Sequence, residues 1–497
     1  MKKKKTIFLT GATGTMGGAG LKEIAKRFDR FKVTLLARPS QANQTKLAAY
    51  KDCEDVRIVW GDLTRYEDVL KGVEGADYVL HVGGMVSPAA DYYPKKTRRV
   101  NTLAAQNIVS AVKAQPNADQ IKVVYIGSVA QLGHRPSPVH WGRTGDPICA
   151  SIYDHYALSK TQAERIIVES GIAHWACLRQ TGILCPELLF KGSDPITFHV
   201  PIQSVLEWVT AEDSGRLLAN ICEEEVPDHF WNRFYNISSG PSYRLTNYEF
   251  ECKLLQALSC PGPDRIFEPN WFALRNFHGH WYTDSDELDQ YLHFRSGMSC
   301  DDYFRWMAKQ VPWYFRLAPL APAWCIKMGM KQIASSKGLG TLNWIRTQNQ
   351  DRISAYFGTM ADYEAIPGWD RFDTSRPSEQ PTRLDHGFDE SKPVRDLDIE
   401  DMRQAATFRG GKCLSTEMKR GDLTTPLEWE CAFGHRFQAS PNLILMGGHW
   451  CPTCEPTPWN YDVIARRNPF LAQVWYASHS KEEENCYTEA IFKDMNE

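Results

Sequence analysis

Short runs of apolar and β-branched residues recur through the first 180 positions, each followed by a stretch with helical spacing. The runs are Thr6–Leu9, Lys32–Ala37, Val56–Trp60, Tyr78–Val82, Lys122–Ile126 and His174–Arg179. Strands alternating with helices at this spacing predict an α/β fold, a doubly wound parallel sheet covered on both faces. A looser alternation follows around "EWVTAEDSGRLLANICEE" and "RFYNISSG", and positions 264–370 are rich in Trp, Tyr, Phe and His. The stretch from Arg371 to Asp398 is polar and reads as a linker, with a compact module after it. The expected domains are therefore 1–180, a dinucleotide-type sheet domain; 181–370, a smaller α+β substrate region with an aromatic-rich extension; 371–399, a linker; and 400–497, a small C-terminal domain.

Composition narrows the function classes. With 497 residues and a formal net charge of −3, the chain has no global basic footprint, and nucleic acid is not an expected partner. Four lysines open the sequence, but too few apolar residues follow them to make a signal-peptide core. No uninterrupted apolar run reaches transmembrane length. The 14 cysteines are scattered except for a cluster between Cys413 and Cys454, which suits a reducing, cytoplasmic compartment better than a disulfide scaffold.

"TIFLTGATGTMGGAG" places Gly11, Gly14 and Gly17 three residues apart, directly after an apolar run and opening a helical stretch. Such a turn lets backbone N–H groups reach a pyrophosphate at the positive end of a helix. Thr13, Thr15 and Met16 share the loop. After the second run the chain has Ala37-Arg38 where many dinucleotide folds put an acidic residue, so Arg38 is a candidate partner for a 2′-phosphate. Asp62 and Leu63 in "VWGDLT" fall where an adenine would lie. Ser128 ends the run "VVYIGS", and "YALSK" sets Tyr156 and Lys160 four residues apart on one helix face. A tyrosine that exchanges a proton near neutral pH needs its pKa lowered from about 10, which a neighbouring ammonium and a nicotinamide cation would do. The serine hydroxyl would then hold the substrate oxygen during hydride transfer.

These pieces, together with "ADYVLHVGG", Asn101 in "RRVNTLAAQNIV" and "RFYNISSG", resemble the extended short-chain dehydrogenase/reductase family over residues 5 to about 260. That group contains the NAD-dependent epimerases and dehydratases. The resemblance implies a Rossmann-type domain, with His81, Val82 and Gly83 lining the cofactor and Asn101 stiffening a central helix. It also gives Ser128, Tyr156 and Lys160 the roles just described, and makes Tyr156 and Lys160 cofactor-binding residues, with Lys160 holding the nicotinamide ribose. Arg38 resembles the NADP-preferring reductases. Two departures stand out: Arg179 is followed by Gln180-Thr181 instead of a proline, and Ser128 is followed by Val129-Ala130 instead of the Asp-Glu pair of sugar 4,6-dehydratases.

Farther on, "WECAFGHRF" and "WCPTC" give Cys431-x3-His435-x15-Cys451-x2-Cys454, two close ligand pairs suited to a tetrahedral, structural zinc. The segment is similar to zinc-ribbon and treble-clef modules, and "GGKCLS" makes Cys413 an alternative to His435. His278 and His280 have no recognised ligand spacing and stay unassigned. The aromatic stretches read as packing first and as a lid over an apolar substrate second. The expected activity is an NADP(H)- or NAD(H)-dependent interconversion of a secondary alcohol and a ketone, with a small-molecule carbonyl or alcohol, an apolar one being a candidate, as substrate and a homodimer as a candidate assembly. The alternatives are a nucleotide-sugar epimerase that retains NAD, and a non-catalytic cofactor-sensing scaffold.

Overall fold

The computed structural model describes residues 3–223, 225–456 and 460–487, with Lys493 and Met495. All six apolar runs form strands: β1 (Lys5–Thr10), β2 (Phe31–Ala37), β3 (Val56–Trp60), β4 (Tyr78–His81), β5 (Lys122–Ser128) and β6 (His174–Gln180). The "RFYN" segment adds β7 (Arg233–Asn236). They pair in the order β7-β6-β5-β4-β1-β2-β3, and every pairing is parallel. Ile7, Phe8 and Leu9 are wholly buried, because a parallel sheet with helices on both faces leaves neither side of a central strand to water.

On one face α1 (Thr15–Ala25) packs against the Ala211–Asn220 helix, so closely that Gly20 lies under Leu218 and Gly215 under Ala19. Leu21, Ile24, Leu217 and Leu218 meet Leu9, Leu80 and Val124 there. The opposite face is covered by the Tyr66–Val73 helix, α2 (Pro94–Lys113) and α3 (His155–Val168). Its core does not end with those helices. Trp175, Phe234 and Ile167 share one continuous cluster with Met402, Trp429, Leu443 and Ile444 of the C-terminal region. The C-terminal three-stranded antiparallel sheet (Lys412–Cys413, Leu427–Glu430, Arg436–Ala439) is thus joined to the Rossmann layer by shared apolar burial.

The stretch 371–399 is irregular, as its composition predicts, yet it is fastened along its length. His140 and the Trp141 indole share the Ser378 carbonyl, at 2.8 and 3.1 Å, and the Thr382 hydroxyl donates to the Pro138 carbonyl. His386 meets Asp146 at 2.9 Å, and Glu390 accepts from Arg143. It is a strap across the first domain. Most aromatics of the middle region pack as expected: Phe198, Phe267, Trp271 and Phe272 form one cluster, and Trp344 is wholly buried. Trp313, Tyr314, Leu320, Trp324 and Met328 do not, and stand exposed. Among the described residues no helix is long and apolar enough to cross a membrane.

Candidate functional site

A cavity of about 1220 Å³ runs along the carboxyl ends of the strands. One end is bordered by Arg38 and Asn43, the middle by Ser128, Tyr156 and Lys160, and the far end by Trp208, Phe250 and Glu251. This is where an open parallel sheet leaves a crevice, at the switch point of its strand order between β1 and β4.

The glycine turn forms its floor. Gly11 has φ of +76°, a conformation that costs a side chain roughly 1–2 kcal/mol. A Cβ there would lie 2.8 Å from the Gly83 nitrogen, and one on Gly17 would lie 2.2 Å from the Gly11 carbonyl oxygen. The Gly14 N–H closes the turn on that same oxygen at 2.9 Å. Gly11, Thr13, Gly14, Thr15, Met16 and Gly17 all line the cavity, as do Arg38, Asp62, Leu63, Val82 and Gly83. Burial pushes the Asp62 carboxyl upward, but hydrogen bonds from the Thr64 N–H and hydroxyl, with Arg38 and Arg65 nearby, hold it below its ordinary range.

His81 departs from expectation. It is buried behind the cavity wall, its Nδ1 3.1 Å from the Thr10 hydroxyl, and desolvation, reinforced by Lys160, keeps its pKa at about 3. His81 is the last residue of β4 and packs between Thr10 and Tyr125 of the neighbouring strands, whereas Val82 and Gly83 lie beyond the strand end and border the crevice. Asn101 holds the following loop, accepting from the Met85 N–H at 2.7 Å and donating to the Met85 carbonyl and the Ser159 hydroxyl.

Ser128 ends β5, where its hydroxyl caps a short turn by accepting from the Ala130 N–H. Tyr156 and Lys160 project from α3, whose N-cap is Asp154. In the free protein the phenol of Tyr156 is pushed up to about 12 by desolvation and by the Asp154 charge, against a hydrogen bond with Ser128. The Lys160 ammonium lies 5.8 Å from the centre of the Tyr156 ring, donates to the Ile126 carbonyl at 2.7 Å, and is brought down to about 8 by burial. With its pKa raised in this way, the phenol keeps its proton at neutral pH.

Two groups that the sequence left unassigned enter the same space. His278 lines the cavity with its Nδ1 3.1 Å from Asp154, although 124 positions separate the two in the chain. Glu251 is a buried carboxyl raised to about 7 by desolvation alone. His280 is wholly buried elsewhere and joins no ligand cluster. Arg179, with Gln180 and Thr181 in place of a family proline, continues β6: Gln180 and Thr181 line the cavity while Arg179 points beneath it.

In the C-terminal module Cys431, His435, Cys451 and Cys454 converge, their ligand atoms all within 4.8 Å of one another. The His435 Nδ1 lies 3.5, 3.7 and 3.4 Å from the three sulfurs, and Cys431 and Cys454 sulfurs are 3.9 Å apart. A tetrahedron with zinc–sulfur bonds of about 2.3 Å has edges of about 3.8 Å, so the donor set fits that ion. Cys413 lies outside the cluster, paired with Trp429 across the sheet.

Residues 7–182 match the family model described as the NAD dependent epimerase/dehydratase family. The chain is 27% identical over 111 residues to the UDP-glucose 4-epimerase of Rickettsia massiliae, 22% of this chain and 32% of that one. It is 28% identical over 112 residues to the UDP-N-acetylglucosamine 4,6-dehydratase (inverting) of Campylobacter jejuni, 22% of this chain and 33% of that one. The chain thus spans about a third of the length of these curated relatives. Its fold is similar to the dTDP-glucose 4,6-dehydratase of Bacillus anthracis in complex with NAD, with a TM-score of 0.50 at 13% identity, over 62% of this chain and 96% of that one.

Proposed function

We propose that this chain, whose residues 7–182 carry the domain of the NAD dependent epimerase/dehydratase family, is an oxidoreductase that interconverts a secondary alcohol and a ketone. One observation supports this above the rest: Ser128, Tyr156 and Lys160 line the same cavity as the glycine turn. A bound nicotinamide dinucleotide would supply or accept the hydride. Ser128 holds the substrate oxygen, and Tyr156 gives it a proton in reduction and takes one in oxidation. With a dinucleotide bound, Lys160 would hold the nicotinamide ribose and, together with the nicotinamide cation, supply the positive charge that favours the phenolate. Trp208, Phe250, Leu206 and Leu245 give the far end apolar walls, which suits a substrate of apolar character.

Arg38 at the adenosine end favours NADP(H) in this reading. A second reading, an epimerase that oxidises and re-reduces a nucleotide sugar on one retained NAD, is favoured by the similarity to a UDP-glucose 4-epimerase. A cofactor-sensing scaffold is the weakest, since a sensor has no need of a proton-transfer tyrosine. We assign the Cys431/His435/Cys451/Cys454 cluster to a structural zinc, since four protein donors leave no open position for a substrate.

Identification of the nucleotide released on denaturation tests the cofactor. Bound NAD at one equivalent supports the epimerase, and NADP or an empty site preferring NADPH supports the reductase. Tyr156→Phe should leave cofactor binding intact and lower turnover by about 10²–10⁴-fold. Unchanged turnover in that variant refutes the mechanism.

A further inference from the structure

The helix that carries Tyr156 and Lys160 is held from below by the C-terminal module. Glu164 lies one turn beyond Lys160 on α3 and is wholly buried. Its carboxylate accepts from Arg179 at 2.6 and 3.2 Å and from the His449 Nε2 at 2.9 Å. Arg179 also donates to the Gly447 carbonyl at 2.6 Å. The next helical residue, Arg165, donates to the Trp450 carbonyl and to Glu455. Just past the helix end, Glu169 accepts from the Ser440 N–H and hydroxyl. The loop 447–455 that makes most of these contacts is the loop that presents Cys451 and Cys454 to the ligand cluster.

We infer that the C-terminal module is part of the active-site apparatus, its 447–455 loop clamping Glu164 and Arg165 and so fixing the helix on which Lys160 stands one turn away. The inference rests on the reading of Lys160 given above. Glu164 and His449 are positioning residues, acting on cofactor and substrate only through Lys160. The charges and titratable groups around Lys160 are few: His81 from β4, Tyr125 from β5, and Tyr156 and Glu164 from its own helix. Among the described residues Glu164 supplies the one carboxylate in that group, and it opposes the desolvation of the ammonium. A metal held by the four ligands would fix both ends of the Cys451–Cys454 turn, and with it the approach of His449 to Glu164. A separate zinc bead on a tether would have no such contacts.

The test uses the full-length protein with NADPH and NADH as probes. Fluorescence titration gives their dissociation constants from pH 6 to 10, and amide hydrogen exchange reports on residues 155–168. Glu164→Gln should move the alkaline midpoint of cofactor binding down by half a pH unit or more, because the ammonium loses its one counter-charge. His449→Ala should weaken cofactor binding at least fivefold and speed exchange in α3. His449→Gln, which keeps an N–H donor, should restore most of both, and the pair carries the test if Glu164→Gln does not fold. Chelation of metal from the wild type should reproduce the His449→Ala exchange pattern. Variants that lose thermal stability but keep cofactor affinity within twofold and an unmoved alkaline midpoint overturn the inference. A wild type that binds neither dinucleotide overturns instead the functional reading beneath it.

Discussion

Replacing Gly17 by alanine is the smallest change that tests the phosphate cradle. The added methyl would sit 2.2 Å from the Gly11 carbonyl oxygen, 2.6 Å from its carbon and 3.1 Å from the Ala12 nitrogen. All three are backbone atoms, so no side chain can rotate aside. Restoring an ordinary contact of about 3.4 Å requires the turn and the helix start to part by about 1 Å. That breaks the Gly14 N–H bond to Gly11 and spreads the N–H groups that would face the pyrophosphate. Overpacking of this kind costs roughly 1–3 kcal/mol of stability. Losing one charge-assisted N–H contact to phosphate costs a further ~1.5–3 kcal/mol of binding, about 10- to 100-fold in affinity. Gly18→Ala is the milder comparison: its methyl would lie 3.3 Å from the Ala12 carbonyl oxygen, a contact relieved by a shift of a few tenths of an ångström, and alanine gains helix propensity. Calorimetry or fluorescence titration with NADPH and NADH reads both. A folded Gly17→Ala protein that binds either dinucleotide as tightly as wild type refutes the cradle.

Arg38→Ala should weaken NADPH about tenfold or more and leave NADH within about twofold, and equal losses for both would remove the argument for NADP. Metal analysis of the purified chain should find one zinc, lost in Cys454→Ser together with a fall in melting temperature, because such sites contribute folding free energy of up to about 10 kcal/mol or more. Asp146→Asn leaves the wholly buried Arg135 guanidinium without its carboxylate at 3.0 Å and should cost about 3–5 kcal/mol in urea unfolding. Glu164 and Glu455 are each held at about 2, against burial, chiefly by Arg179 and Arg165 respectively, with His449 also bonded to both. Folded values below the unfolded ones mean that this stabilisation, ~3 kcal/mol each, is complete above about pH 4.5 and disappears as pH falls toward 2. Urea midpoints measured across that window should drop steeply in wild type and less in Glu164→Gln.

What the sequence made legible follows from how local each signal is. The strands of the sheet were readable because burial on both faces leaves almost no polar position in Ile7–Leu9 or Val123–Ile126. The glycine turn, Tyr156-x3-Lys160 and the two metal-ligand pairs each lie within one turn or one helix. That His81 is buried while Val82 and Gly83 border the cavity was not legible, because a motif marks a strand end without saying where the strand stops. The meeting of His278 with Asp154 was invisible: the first lies in an aperiodic stretch, and the second reads only as a helix cap. The attachment of residues 371–399 is not legible in the sequence, because composition records their polarity while the attachment depends on single bonds such as that of His140 to the Ser378 carbonyl. Glu164, Arg179 and His449 look like ordinary surface residues in the sequence, and only the joined core shows that they are sealed from water.

That joined core sets a schedule for the newly made chain. The Rossmann sheet is complete once Asn236 has left the ribosome, but Trp175, Phe234 and Ile167 then face water, since Trp429, Leu443 and Ile444 have not been made. At synthesis rates of roughly 5–20 residues per second, that apolar face stays bare for roughly 10–40 seconds before the last cysteine of the metal cluster emerges. A nascent chain with one finished and one unfinished face is a substrate for chaperones during that interval. A gene truncated at the strap would keep it so permanently, and would yield an aggregating protein instead of a smaller enzyme.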